Sequence, residues 1–210
     1  MDQAQILNLS SARAKKARLS VLFDKKWLRM ALVLCAGLSL VSGSTLLFIG
    51  ENIGYLLLAC ASWVSVPVLW YHGELKDLPA TAQLEAVAPL DAVLERTLLG
   101  RLPRNLNPQS LATSVMKTPG GIFYANRYAI SLDFIKTVLG NQPADLATIW
   151  AKAVQLSATV PGETRVTDTA VAAALILSAP NASFYLSQLQ LDEDDIISGL
   201  LWRSHIRGVF

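Results

Sequence analysis

Two long uncharged stretches limit what this chain can fold into more than any other feature of its sequence. No charged residue occurs from Met30 to Ile49, and after Gly50-Glu51-Asn52 a second uncharged run extends from Ile53 to Tyr71. About 20 residues at roughly 1.5 Å rise cover a hydrocarbon core of about 30 Å, so each run suffices to span a bilayer as a helix. The competing reading is two buried helices of a water-soluble protein, but core helices of this length normally show some polar face and neither run does. A cleaved signal peptide fits worse, because the polar region ahead of Met30 is too long and a second apolar run follows at once. The chain is 52% hydrophobic over 210 residues with a mean hydropathy of +0.39, and the excess is concentrated in these runs.

The flanks set an orientation. Arg13, Lys15, Lys16, Arg18, Lys25, Lys26 and Arg29 precede the first run against only Asp2 and Asp24, which by the positive-inside rule keeps the N-terminus in the cytoplasm. Two spans return the C-terminus to the same side, so the expected location is the cell (inner) membrane, multi-pass, with both termini cytoplasmic. Trp27 at one end and Trp70 with Tyr71 at the other occupy interfacial aromatic positions. Cys35 and Cys60 differ in depth by about seven residues, on the order of 10 Å, too far for a disulfide. A small-residue row, Cys35-Ser39-Gly43, predicts close helix approach, with Ala61-Ser65 as its counterpart. Pro67 is a candidate kink.

The formal net charge of +2 is carried by the N-terminal segment. Residues 6–23, ILNLSSARAKKARLSVLF, read either as a helix lying on anionic headgroups or as a tail whose charges only set topology. Nucleic acid is not an expected partner, because a membrane accounts for these cations and no aromatic residues are interleaved with them.

After Lys76 the sequence DLPATAQLEAVAP reads as a linker. Beyond it, the helix starts carry one shared pattern. Asn107 precedes Pro108, with Leu106 before the cap and Leu111 four residues inside. Thr167 lies between Val166 and Val171, Ser131 between Ile130 and Ile135, and Asp192 between Leu191 and Ile196 in the same register. These starts form two copies about 60 residues apart, with Phe123-Tyr124 and Phe184-Tyr185 in equivalent places. An apolar helix precedes each copy, Leu90 to Leu99 and Leu146 to Val160, ended by Gly100 and by Pro161-Gly162. No stretch alternates well enough to demand a strand.

The expected fold is therefore all-α: two transmembrane helices, then a tandem repeat of two roughly four-helix units. The expected divisions are 1–29 as a basic segment, 30–71 as the hairpin (30–49 and 53–71), and 72–88 as the linker. The repeat domain follows over 89–210, with copies at 89–140 and 143–203.

The two copies, PLDAVLERTLLGRLPRNLNPQSLATSVMKTPGGIFYANRYAISLDFIKTVL and LATIWAKAVQLSATVPGETRVTDTAVAAALILSAPNASFYLSQLQLDEDDIISGLLW, resemble the N-terminal domain of Clp-type AAA+ unfoldases. The resemblance covers residues 89–202. Members of that family often carry His-Leu-Leu at the start of the second helix of each repeat; here those places read Gln109-Ser110-Leu111 and Thr169-Ala170-Val171. The soluble members also lack a membrane hairpin. The resemblance implies the fold and a general role in docking protein substrates or adaptors, with a Clp-type peptidase reached only through AAA+ modules that this chain does not contain. It transfers no individual contact residue, so the substrate-binding residues are unknown.

The motifs of catalysis are missing from the sequence. Gly120-Gly121 lacks the lysine and serine of a phosphate-binding loop and reads as a turn between helices. ATP and Mg are expected only if AAA+ modules follow Phe210. His72 and His205 have no metal-ligand neighbours at suitable spacing. The run Asp192-Glu193-Asp194-Asp195 reads as a helix start rather than a calcium loop. No GxSxG elbow accompanies the serines, and the spans contain no ionisable side chain to mark a transport pathway. No catalytic, cofactor-binding or metal-binding residue is assigned. The expectation is a membrane-tethered recognition domain of a Clp-type ATP-dependent protease subunit, as an N-terminal piece of a longer product. The alternative is a stand-alone membrane-anchored helical scaffold without ATPase.

Overall fold

The computed structural model describes residues 7–82, 84, 89–140 and 145–207. Parts of the expected N-terminal segment, linker and start of the second repeat, and the last three residues, lie outside these. The described residues are all-helical, with twelve α-helices and no strand. Contacts divide the chain into two compact units, one spanning Lys16–Pro79 and the other joining residues up to Lys15 to those from Ala80 onward. The basic segment is thus not a unit of its own. It forms helix α1, Ala12–Phe23, and α1 contributes residues to both units.

The unit Lys16–Pro79 is built on a helical hairpin. Helix α2 runs Lys26–Ile49 and α3 runs Ile53–Trp70, continuing through a π-helical turn at Tyr71–Leu75. Both are long and apolar enough to cross a membrane. They extend beyond the uncharged runs, to Lys26 at one end and Leu75 at the other, because helical hydrogen bonding does not stop at a charge whose long side chain reaches the interface. Gly50 closes α2 at φ 92°, where its N–H donates to Leu47 O at 3.0 Å and Glu51 N–H donates to Leu46 O at 2.8 Å. This left-handed glycine cap turns the chain back within three residues.

The helices meet most closely at Gly43 and Gly54, both buried, where a Cβ on Gly54 would lie 2.6 Å from the Gly43 carbonyl oxygen. Cys35 does not belong to this seam: it is exposed, and the half-buried or buried positions on α2 are Leu28, Arg29, Leu32, Ala36, Ser39, Gly43, Leu46 and Leu47. The seam repeats at four and three residues in alternation, so a row of strict spacing four drifts off it. Elsewhere the hairpin is covered in apolar side chains, with Phe48 94% and Trp63 79% exposed. Such a surface suits apolar surroundings such as a bilayer core. The hydroxyls of Thr45, Ser62 and Ser65 donate to carbonyls one turn back, which satisfies them without water. Pro67 leaves α3 one donor short, and the helix widens to its π-turn four residues later.

The other unit contains α4 (Leu90–Val93), α5 (Arg96–Arg101), α6 (Pro108–Val115), α7 (Pro119–Tyr128), α8 (Leu132–Leu139), α9 (Leu146–Ala158), α10 (Asp168–Leu177), α11 (Ala182–Gln188) and α12 (Glu193–Arg207). All four caps form as the sequence predicts. The side chains of Asn107, Ser131, Thr167 and Asp192 accept from the N–H groups of Ser110, Phe134, Ala170 and Asp195. The residue before each cap packs inward or partly so, and Leu111, Ile135, Val171 and Ile196 inside the helices are buried. The ordered triplets α6-α7-α8 and α10-α11-α12 are therefore built from the same local instructions.

The helices preceding them differ. The expected helix Leu90–Leu99 is broken at Leu94, whose extended backbone forms an isolated parallel bridge with Val166. Val166 N–H donates to Val93 O, and Glu95 N–H to Val166 O, both at 2.9 Å. Gly100 does not end the following helix, which stops at Arg101 because Leu102 precedes Pro103 and takes an extended conformation. The first copy thus has two short helices where the second has α9.

Helix α10 is the centre of this unit. Asp168 through Ile176 are all buried, and α10 packs against α6, α7, α9 and α12. Its alanines allow neighbours to approach on every side. Although α10 and α11, bent by 100°, are together apolar enough for a broken span, α10 is enclosed by protein. That enclosure accounts for its composition.

Replacing Gly54 by leucine should force the hairpin apart. A cost of about 1–3 kcal/mol is expected from overpacking, read as a lower thermal midpoint of the detergent-solubilised chain, whereas leucine at exposed Gly37 should leave the midpoint unchanged.

Candidate docking surface

The site is assembled from the start of α7. Thr118 caps this helix, and Gly120 and Gly121 occupy its first turn. They are not a turn between helices. A Cβ on Gly120 would lie 2.5 Å from the Thr169 backbone nitrogen, so glycine is required by the approach of α7 to α10. The Asp168 carboxylate, fully buried, accepts the Gly120 N–H at 2.7 Å, and Glu95 Oε2 accepts the Asp168 N–H at 3.0 Å. Two helix N-termini thus share one carboxylate, where both dipoles favour negative charge. Residues of α1 add a second clamp: the Arg13 guanidinium donates to the carbonyls of Asp91 and Leu94. Burial, together with nearby Arg165, lowers the pKa of Arg13 from its ordinary value.

This placement aims the other face of α7 at α12. Tyr124 O–H donates to Ile196 O at 2.8 Å and Tyr128 O–H to Asp195 O at 3.0 Å. Gly199 makes room for the Tyr128 ring, since a Cβ there would lie 2.8 Å from the hydroxyl. Burial pushes the Tyr124 phenol far above its ordinary pKa of 10.0. Further along, Phe123 stacks on Trp202 with centroids 5.7 Å apart, Arg127 lies over Trp202 at 4.7 Å, and Arg203 lies over Phe123 at 5.2 Å. Ile122, Leu201 and Trp202 are exposed beside them. Tryptophan, tyrosine and arginine are enriched among the residues that dominate protein–protein binding.

The equivalent surface of the second copy is smaller. Tyr185, the counterpart of Tyr124, lies edge-on to Phe134 of α8 at 6.4 Å, with Phe184 exposed at its side. In both copies the middle helix of one triplet carries aromatic side chains to the last helix of the other: Phe123, Tyr124 and Tyr128 to α12, and Tyr185 to α8.

The remaining residues singled out in the sequence are placed as follows. Asp192 and Asp195 exchange backbone bonds, Asp195 Oδ2 accepting from Asp192 N–H at 3.0 Å, which makes the acidic run a reciprocal helix cap. His72 is exposed and edge-on to Tyr71, and His205 is exposed on α12. No cluster of three metal-ligating side chains occurs among the described residues. The aromatic pairs were visible in the sequence as repeat markers. Their pairing with Trp202, Arg127 and Arg203 was not, because those contacts join α7 to α12, segments more than 70 residues apart.

Compared with protein-family models, with curated proteins and with solved structures, the chain matches none.

Two variants test this construction. Asp168→Ala leaves the Gly120 N–H buried without its acceptor and should cost about 1–3 kcal/mol in thermal or chemical unfolding followed by circular dichroism. Tyr124 has a native pKa above its unfolded value, so the native state holds the proton more tightly. Its contribution is fully present below the unfolded value of 10.0 and is lost as pH rises beyond it. Wild-type stability should fall more steeply than that of Tyr124→Phe above pH 10, and a parallel decline would exclude this role for the phenol.

Proposed function

We propose that the unit containing α4–α12 is a recognition domain of the Clp N-terminal type, anchored by the α2–α3 hairpin and receiving protein substrates or adaptors at the inner face of the cell membrane. The supporting observation is the pair of capped triplets, α6-α7-α8 and α10-α11-α12, with matching stapled starts and aromatic side chains crossing between copies. The exposed surface around Trp202 and Arg127 supplies the docking chemistry. On this reading the basic residues before α2 hold both termini in the cytoplasm. ATP hydrolysis and delivery to a peptidase belong to AAA+ modules encoded beyond Phe210 or carried by another subunit.

Co-purification from gently solubilised native membranes, with mass spectrometry of the eluate and of the full-length product, tests the proposal. Contiguous or associated AAA+ modules are expected, and Trp202→Ala with Arg127→Ala should reduce recovery of protein clients while leaving the circular dichroism spectrum unchanged. A product with neither AAA+ modules nor an ATPase partner would instead establish a membrane-anchored helical scaffold.

A further inference from the structure

The end of the hairpin opposite Glu51 forms a collar in which residues of α1, the first turn of α2 and the end of α3 meet. Tyr71 O–H donates to Asp24 Oδ1 at 2.7 Å, and the Phe23 ring lies 6.2 Å from that of Tyr71. Glu74 Oε2 accepts from Lys16 Nζ at 2.8 Å and from Trp70 Nε1 at 3.1 Å. Two of the three carboxylates at this end are therefore engaged, leaving Asp77 on the surface. Against these three stand six cations between Lys16 and Pro79: Lys16, Arg18, Lys25, Lys26, Arg29 and Lys76. The collar carries a positive excess that its own acids do not neutralise.

The arginines are the distinctive part. Arg29 lies over the Tyr71 ring at 5.1 Å, yet its Nε is buried without an acceptor, and Arg18 Nη2 is in the same condition. A buried donor lacking an acceptor is costly, and an oxygen arriving from outside that reached it would relieve that cost. Exposed Lys25 and Lys26 flank them, while Trp27 and Met30, both strongly exposed, share their helical turns. Cations interleaved with exposed apolar and aromatic side chains match the headgroup layer, where phosphate adjoins the start of the hydrocarbon.

We infer that this collar is a binding site for the phosphodiester of an anionic glycerophospholipid, with Arg29 as the guanidinium donor beside Tyr71 and with Arg18, Lys25 and Lys26 supplying further charge. A planar guanidinium presents paired N–H donors that fit two phosphate oxygens, whereas a zwitterionic headgroup brings its own cation into the same field. Lipid, and not a soluble phosphate, is the occupant, because Trp27 and Met30 offer apolar contact that only an acyl-bearing ligand uses. The site rests on the reading that α2 and α3 span a bilayer.

The test uses the full chain, purified in mild detergent, delipidated and titrated with phosphatidylglycerol or phosphatidylcholine while bound lipid is counted by native mass spectrometry. Phosphatidylglycerol is expected to bind in preference. Arg18→Gln and Arg29→Gln should each weaken it about fivefold, on the order expected for one basic residue at an anionic surface. Arg29→Lys keeps the charge and loses the fork, so it should fall between wild type and Arg29→Gln. Arg104→Gln, an exposed arginine on the other unit, should bind as wild type does. Should the arginine variants fail to fold, Lys25→Gln with Lys26→Gln, both exposed, carries the same expectation. Equal binding of the two lipids, or undiminished binding by folded collar variants, would overturn the inference. Displacement of lipid by equimolar inorganic phosphate would overturn it in favour of a soluble ligand. Failure of the membrane reading is seen separately, as release of the chain from native membranes by alkaline carbonate.

Discussion

The Asp168 carboxylate, enclosed by protein and accepting the Gly120 N–H at 2.7 Å, joins the starts of α7 and α10, and the packing of the helical unit follows from that contact. A bare backbone at Gly120 lets α7 approach until its first turn touches Thr169. With that end fixed, the tyrosines of α7 meet the carbonyls of Asp195 and Ile196, and Phe123 reaches Trp202. One charge stabilised by two helix dipoles thus governs where the exposed aromatic surface lies.

The hairpin is packed by the same physics. Gly43 and Gly54 remove side chains where two backbones approach, as Gly120 does in the helical unit. The difference is on the outside. Around α10 the apolar surface is covered by other helices, whereas around α2 and α3 it is left exposed, with Phe48 and Trp63 projecting freely. Apolar composition alone does not separate these cases. Length does: the ten residues of α10 reach about 15 Å, half of a hydrocarbon core, while the 24 residues of α2 and the 23 of α3 with its π-turn exceed it.

Local instructions were legible in the sequence because they act over four or five residues. The caps at Asn107, Ser131, Thr167 and Asp192, the glycine closing α2 and the two apolar spans could all be read directly, since a side-chain oxygen reaching its own helix start needs no distant partner. Errors arose where a distant partner intervened. Leu90–Leu99 has the composition of one helix, but the bridge of Leu94 to Val166 interrupts it, exchanging local hydrogen bonds for a pairing with residues about 70 positions away. Gly120-Gly121 looked like a turn because the surface it packs against was not visible.

Sequence alone determined the helical class, the hairpin and the duplication of capped triplets, since spans, caps and periodicity are properties of short segments. Tertiary structure alone decided that Gly120 serves a close approach and Cys35 lies outside the seam. It also decided that Arg127, Trp202 and Arg203 form one surface with Phe123. Those outcomes depend on which faces of separate helices meet, and burial of apolar surface, being non-directional, leaves that choice to the fit of whole helices against one another.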